Sequence, residues 1–320
     1  MAPTLAEIEQ ATALIHAVMP PTPQYHWPLL SRRSGAETWV KHENHTPVGA
    51  FKIRGGILYM AELRRREPGL AGVIAATRGN HGQSVAFSAA RAGLPSVIVV
   101  PHGNGREKNA AMQAQGAELI EQGRDFQAAF EFAEALAAER KLHFVRSFEP
   151  TLVRGVASYG LELFRAVADL DAVYVPIGMG SGICATIAVR DALGLETEIV
   201  GIVTTGAPAY ALSIAAGHVV ATDSADTIAD GMACRVPIQG AVEIIRQGAA
   251  RIVTVDDAEI RAAMRHYFTD THNVVEGAGA APLAGLLQER ERMQGKRVAL
   301  ILSGGNVDGA TFAAVLAGFD

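Results

Sequence analysis

One lysine and three glycine-rich segments have the residue types and spacing that could do chemistry. Lys52 lies between Phe51 and Ile53 in a glycine-bracketed, mostly apolar segment, residues 49–56. A lysine amine that is removed from water beside another cation, such as Arg54, has a lowered pKa and can attack a carbonyl carbon to form a Schiff base. An ordinary exposed helix lysine is the alternative interpretation of Lys52 taken alone. The three glycine-rich segments are residues 77–82, 178–182 and 303–306.

The segment 178–182 reads Gly-Met-Gly-Ser-Gly and follows an apolar run. Glycines let backbone N–H groups approach an anion, so a phosphate site is the functional interpretation and a tight strand-to-helix turn is the structural one. A dinucleotide site needs the spacing G-x-G-x-x-G and an acidic residue about 20 positions later. Here the spacing is G-x-G-x-G, and the next strand ends in Val203, Thr204 and Thr205. The sequence therefore favours a cofactor with a single phosphate.

The elements that must position these residues alternate between short β-branched runs and longer Ala-rich segments. This alternation predicts parallel βαβ units, that is, a doubly wound α/β fold. The predicted strands are 38–41, 73–76, 97–100, 142–145, 172–176, 199–203, 252–255 and 298–302. The predicted helices include 83–92, 124–138, 152–167, 257–268 and 282–293. Ligands of parallel sheets bind beyond the carboxyl ends of the strands, which is where all three glycine-rich segments fall.

Composition excludes several other classes of protein. The 320 residues suffice for about two domains. A formal charge of −5 argues against nucleic-acid binding, and no apolar stretch approaches the length of a membrane span. The two cysteines, Cys184 and Cys234, are too few for a disulfide framework, and Glu7 and Glu9 precede any apolar run, unlike a signal peptide. We therefore expect a cytoplasmic protein that contacts neither nucleic acid nor membrane.

Taken together, the motifs resemble one known family. Residues 41–44 (Lys-His-Glu-Asn) and 49–55 (Gly-Ala-Phe-Lys-Ile-Arg-Gly) resemble the lysine segment of the serine/threonine dehydratases, which are pyridoxal-phosphate enzymes of the tryptophan-synthase-β fold type. Matching motifs follow in the family's order at 79–83, 178–182, 227–231, 275–280 and 302–306. The resemblance implies two doubly wound parallel-sheet domains with the cofactor in the cleft between them. The smaller domain would be residues 71–149, inserted into a larger domain formed by 1–70 and 150–320.

The resemblance also implies a role for each candidate site residue. Lys52 would bond pyridoxal 5'-phosphate and remove the substrate's Cα proton, and Ser303 would meet the nitrogen of the cofactor ring. Asn80 would hydrogen-bond the phenolic oxygen, with Phe51 beside the ring. Cofactor contacts would come from Phe51, Lys52, Asn80, Gly178, Met179, Gly180, Ser181, Gly182 and Ser303. Thr77, Gly79, Asn80 and His81 would hold the substrate carboxylate, largely through backbone N–H groups. Arg78, which departs from the family's pattern, is a further candidate for substrate binding.

The implied reaction is a β-elimination. A hydroxyl at Ser303 cannot keep the ring nitrogen protonated, so the ring is a weaker electron sink and loss of a β-substituent is favoured. The substrate would be a β-hydroxy amino acid, such as threonine, serine, hydroxyaspartate, phenylserine or a hydroxylated diamino acid, and the products a 2-oxo acid and ammonia. β-Replacement stays an alternative, and a non-catalytic small-molecule-binding protein on the same fold is a weaker one. The resemblance further implies a homodimer.

The sequence departs from the family's pattern at several positions. Ala50 replaces the serine that usually precedes Phe-Lys, and Met179 and Ser181 interrupt a run of glycines. Arg78 stands where relatives commonly carry a small residue, and it either recognises a second substrate carboxylate or pairs with a protein carboxylate in the cleft. No acid follows the strand 198–203, where metal-dependent relatives place carboxylates, so no metal site is predicted.

Overall fold

The computed structural model describes residues 3–318, in which helices and strands alternate along the chain. The strands are β1 Gln24–His26, β2 Glu37–His42, β3 Val73–Ala76, β4 Ser96–Val100, β5 Glu118–Glu121, β6 His143–Phe144, β7 Ala172–Pro176, β8 Glu198–Thr204, β9 Arg251–Val255 and β10 Arg297–Leu302. The helices are α1 Leu5–His16, α2 Pro28–Ser34, α3 Lys52–Arg66, α4 Asn80–Arg91, α5 Arg106–Ala114, α6 Phe126–Arg140, α7 Pro150–Ala166, α8 Ser181–Ala192, α9 Ala209–Ala216, α10 Gln239–Gly248, α11 Asp257–Thr271, α12 Gly277–Gln288 and α13 Gly309–Ala317. Two short 3₁₀ turns cover Glu43–His45 and Asp230–Met232.

A six-stranded sheet is built from both ends of the chain, in the order β1-β2-β10-β7-β8-β9. Its pairs are parallel except at one edge, where β1 runs antiparallel to β2. Helices α1, α7, α8 and α10 pack on one face, and α2, α11, α12 and α13 pack on the other. Because both faces are covered, the central strands are apolar throughout, which is why β7 was predicted with the correct bounds.

A four-stranded parallel sheet, in the order β5-β4-β3-β6, is formed by strands that all lie between residues 73 and 144. Helices α3, α4 and α5 contribute to the core on one face, and α6 covers the other. The predicted fold class, α/β with two parallel sheets, is therefore confirmed. The domain boundaries at 70/71 and 149/150 stay a prediction.

Two strands were not predicted from the sequence, and one helix begins well before its predicted start. Strand β1 was missed because it has only three residues and lies at an exposed edge, and β5 was missed because its Glu-Leu-Ile-Glu sequence offers only two half-buried apolar residues. Helix α12 begins at Gly277, five residues before the predicted start at Pro282. A proline is typical of the first turn of a helix, but here it lies inside the helix, after a turn of small residues. Within residues 3–318, no helix has the length and apolar character needed to cross a membrane.

Candidate active site

The three glycine-rich segments meet in one cleft of about 970 Å³, a volume that includes the part open to solvent. The segment 77–82 follows β3 of the smaller sheet, while 178–182 and 303–306 follow β7 and β10 of the larger one. The cleft therefore lies at the carboxyl ends of strands from both sheets. All the candidate site residues line it: Phe51, Lys52, Thr77, Arg78, Gly79, Asn80, His81, Gly178, Met179, Gly180, Ser181, Gly182 and Ser303.

Lys52 is the first residue of α3 and places its amine inside the cleft. Its Nζ donates to the hydroxyl oxygen of Ser181 at 2.9 Å and lies 3.4 Å from the carbonyl oxygen of Ser147. The amine is also 5.2 Å from the centre of the Phe51 ring. Burial lowers the pKa of Lys52 to about 8, because a charged ammonium ion is poorly solvated there. About one tenth of the amine is thus neutral at pH 7 and able to act as nucleophile or base.

The expectation that Arg54 lowers the pKa of Lys52 was wrong. Residues two apart on a helix face different directions, and the Arg54 side chain is fully buried on the far side of α3. Its Nε donates to Glu43 at 2.6 Å, and its Nη1 donates to Glu162 at 2.6 Å. Lys41 donates to the second oxygen of Glu162 at 2.5 Å. These four residues, which we call the Arg54 cluster, balance their charges among themselves and leave burial as the cause of the Lys52 shift.

The segment 178–182 has the shape of a phosphate cradle. A Cβ at Gly178 would overlap the carbonyl oxygen of Gly231, and Gly180 adopts a left-handed conformation (φ 92°) directly before α8. The Tyr210 hydroxyl donates to the carbonyl oxygen of Met179 at 2.8 Å and fixes the turn between these glycines. The backbone N–H groups of the first turn of α8 have no acceptor within the helix, so they are available to an anion.

In the segment 77–82, part of the backbone is already occupied. The buried Thr77 hydroxyl accepts hydrogen bonds from the N–H groups of Gly79 (2.9 Å) and Gly82 (3.2 Å). Thr77 therefore shapes the turn, and the N–H groups of Asn80 and His81 at the start of α4 are among those available to hold a carboxylate. His81 is neutral, because burial and the nearby Lys52 charge lower its pKa to about 4.

The half-buried Asn80 and the buried Glu276 form a pair that the sequence did not assign. The Asn80 amide nitrogen donates to Glu276 Oε1 at 2.7 Å, and its amide oxygen accepts from Asn306 at 2.8 Å. Burial raises the pKa of Glu276 to about 7, with Lys108 opposing the shift. Glu276 thus orients the side chain expected to bind the cofactor's phenolic oxygen. The sequence placed it near the site only by resemblance, because no spacing relates residue 80 to residue 276.

Arg78 lies beside a charge pair that spans the cleft. Lys108 Nζ donates to Asp230 Oδ2 at 2.8 Å, and Arg78 Nη2 lies 3.8 Å from Asp230 Oδ1. Lys108 was missed by the sequence reasoning because nothing distinguishes it from other helix lysines until the fold brings it to the cleft. In the sequence, Asp230 stands out only as part of the run 227–231.

His42 and His45, whose short spacing could suggest a metal site, instead pack together. The His42 Nε2 accepts from the Trp27 indole N–H at 3.0 Å, and the two imidazole rings stack at 5.0 Å. Between residues 3 and 318, no group of three or more His, Cys, Asp or Glu side chains is arranged to hold a metal ion. Cys184 is a buried residue of α8, and this burial raises the pKa of its thiol to about 12.

Comparison with known proteins assigns the fold to a family. The family of pyridoxal-phosphate dependent enzymes matches residues 16–304. The chain belongs to this family. It is 37% identical to an L-threonine ammonia-lyase of Geobacter sulfurreducens, over 89% of this chain and 71% of that protein. It is 32% identical to an L-threo-3-hydroxyaspartate ammonia-lyase of Saccharomyces cerevisiae, over 99% of this chain and 97% of that protein. A solved structure of threonine deaminase isoform 2 from Solanum lycopersicum superimposes with a TM-score of 0.89 at 29% identity, covering 99% and 95% of the two chains.

The residues of the cleft fit the family's cofactor, pyridoxal phosphate. An amine of lowered pKa is available at Lys52 for the aldehyde, and a cradle without room for a Cβ at Gly178 is available for the phosphate. Ser303, buried at the end of β10, also lines the cleft, and its carbonyl oxygen accepts the Phe51 N–H at 3.0 Å. This bond ties the two residues expected beside the cofactor ring to one another.

Proposed function

We propose that this chain removes a β-hydroxyl group from an amino acid and releases a 2-oxo acid and ammonia. The observation that carries the proposal is that one cleft contains both Lys52, whose amine has a lowered pKa, and Ser303 directly after β10, where a carboxylate could have stood. Both the ammonia-lyase names of the relatives and their coverage of most of this chain support it. A serine at this position favours elimination because it does not hold the ring nitrogen protonated.

Each part of the cleft has a separate task in this reaction. Bound pyridoxal phosphate supplies a carbonyl carbon for the substrate amine and withdraws electrons from Cα. Residues 178–182 would hold its phosphate, Asn80 its phenolic oxygen and Ser303 its ring nitrogen. The Lys52 amine, with a pKa of about 8, would then accept the Cα proton. Loss of that proton and of the β-hydroxyl, followed by hydrolysis of the C–N bond, gives the 2-oxo acid and ammonia.

A substrate panel tests the proposal. Threonine, serine, threo-3-hydroxyaspartate and phenylserine are each incubated with the purified enzyme, and 2-oxo acid and ammonia are measured together. Lys52→Ala should abolish both products and the borohydride-reducible link to pyridoxal phosphate, whereas the exposed Lys296→Ala should leave both unchanged. A reducible link without any 2-oxo acid from the panel would refute the elimination and leave the family assignment intact.

For the substrate side chain, we propose that Arg78 acts structurally. Asp230 already lies within 4 Å of two cations, Lys108 and Arg78, so the arginine contributes to the contact across the cleft. Arg78→Ala should lower kcat/KM for threo-3-hydroxyaspartate and for threonine by the same factor. A loss confined to hydroxyaspartate would instead show that Arg78 recognises a second carboxylate of the substrate.

Three further expectations belong to this proposal. Residues 71–149 would form the smaller domain and residues 1–70 with 150–320 the larger one, supported by the division of the strands between two sheets. The chain would form a homodimer, as the resemblance implies, and sedimentation equilibrium tests this. It would act on an amino-acid substrate, which the names of the relatives support. It would do so in the cytoplasm, with no nucleic-acid or membrane partner, as its composition suggests.

A further inference from the structure

The amine of Lys52 is held by a hydroxyl that belongs to the glycine-rich segment. Ser181 has a relative exposure of 2%, and its Oγ lies 2.9 Å from Lys52 Nζ. The other polar contact of the amine is the carbonyl oxygen of Ser147 at 3.4 Å. In the part of the chain that the structure describes, no carboxylate pairs with this lysine.

We propose that the hydroxyl of Ser181 is the positioning group for the Lys52 amine, which it holds in both protonation states. A hydroxyl can accept a hydrogen bond from an ammonium ion and can donate one to a neutral amine. The Ser147 carbonyl oxygen can only accept a hydrogen bond, so it cannot donate one to the lone pair of the neutral amine. Ser181 is thus the neighbour that can stay bonded while the lysine gains and loses the Cα proton.

The surrounding backbone fixes both partners. Ser181 and Lys52 are the first residues of α8 and α3, respectively. The turn before Ser181 is held by the Tyr210 hydroxyl, and the Ser84 hydroxyl donates to the backbone carbonyl of Lys52 at 2.7 Å. Ser181 interrupts the run of glycines that the resemblance implies for this segment.

The inference predicts a shift in the pKa of Lys52. Removing the Ser181 hydroxyl takes away a hydrogen bond that is stronger to the charged ammonium than to the neutral amine, so the pKa should fall from about 8 by about one unit. At pH 7 the neutral fraction of the amine would rise from about one tenth to about one half, roughly a fivefold increase. A Ser181→Thr variant keeps a hydroxyl and should keep the pKa.

The experiment measures the pH dependence of acetic anhydride labelling at Lys52 by mass spectrometry, on the full chain before and after removal of pyridoxal phosphate. Ser181→Ala is compared with Ser181→Thr and with the control Ser84→Ala, which removes a hydroxyl that contacts Lys52 only through its backbone. We expect a fall of about one unit in the cofactor-free Ser181→Ala protein and no shift in the other two. If Ser181→Ala does not fold, Ser181→Cys, a weaker acceptor of the same shape, should shift the pKa in the same direction.

A second readout separates this role from simple phosphate binding. If Ser181→Ala weakens pyridoxal phosphate binding but leaves the labelling profile of Lys52 unchanged, the proposal is overturned and Ser181 is a phosphate contact only. The positioning role rests on the proposed function of Lys52 as the base. The labelling experiment needs no substrate, so it can fail while the elimination stands, or succeed when the substrate panel gives no product.

Discussion

Replacing Arg54 by methionine tests whether the Arg54 cluster stabilises the protein. The Arg54 side chain is fully buried and donates to both oxygens of Glu43, to both oxygens of Glu162 and to the hydroxyls of Ser158 and Thr22. Methionine fills much of the same space but brings no charge. The variant therefore leaves two buried carboxylates with Lys41 as the one remaining buried cation of the cluster.

The size of the effect follows from this loss of charge. Removing one partner of a buried ion pair costs about 3–5 kcal/mol, because the remaining charge is neither solvated nor paired. The matched control is Arg140→Met, which breaks the pair with Glu118 on the surface, where the two side chains are 42% and 51% exposed. Exposed pairs contribute less than about 1 kcal/mol. The same substitution should thus destabilise the two sites to very different extents.

The assay is urea unfolding at pH 7, comparing the free energy of unfolding of wild type, Arg54→Met and Arg140→Met. Arg54→Lys keeps the positive charge, so its free energy of unfolding should fall less than that of Arg54→Met. Lowering the pH to 5 should narrow the gap between Arg54→Met and wild type, because a buried carboxylate without its cation becomes protonated more readily. A loss for Arg54→Met no larger than that of the surface control would refute the reasoning.

Three further predictions use the same structure. Arg54 and Lys41 lower the pKa of Glu162 to about 2. The ionised carboxylate therefore contributes to stability above about pH 4.5, and this contribution is lost as the pH falls toward 2. Glu162→Gln should flatten this part of the curve of unfolding free energy against pH. Gly178→Ala should reduce the affinity for pyridoxal phosphate at least about tenfold, since its Cβ would displace the neighbouring backbone, while Gly240→Ala, which meets no atom within 4 Å, should not. Tyr210→Phe should destabilise the protein by about 0.5–1.5 kcal/mol in thermal unfolding, through the hydrogen bond lost from the glycine-rich turn, and a stability equal to that of wild type would contradict this.

Local sequence patterns predicted those elements whose environment is uniform along their length. Strands β3 and β7 are covered on both faces, so their apolar runs begin and end where the strands do. The first residues of the helices were harder to predict, because the glycines that make room for a ligand interrupt the apolar spacing typical of a helix. Helix α4 was predicted from residue 83, although it begins at Asn80, which is one of the site residues.

The candidate site was predictable where one short segment carries the function, and not where distant segments meet. Lys52 and the segments 77–82 and 178–182 each stand out by composition, and the structure brings them into one cleft. Whether Arg54 faces Lys52 or the Arg54 cluster depends on carboxylates 11 and 108 residues away along the chain. No local pattern encodes such a pairing, so the sequence correctly predicted that burial lowers the pKa of Lys52 but wrongly added Arg54 as a second cause.

Three helices begin at residues that line the cleft. Lys52, Asn80 and Ser181 are each the first residue of a helix, in α3, α4 and α8. The first turn of a helix has unsatisfied N–H groups and a partial positive charge, so three such ends directed at one cleft favour anions such as a phosphate and a carboxylate. The same partial charges disfavour an ammonium ion at these helix ends, which is the direction in which burial shifts the pKa of Lys52. The arrangement that holds the anionic groups is therefore also one that keeps the lysine ready to accept a proton.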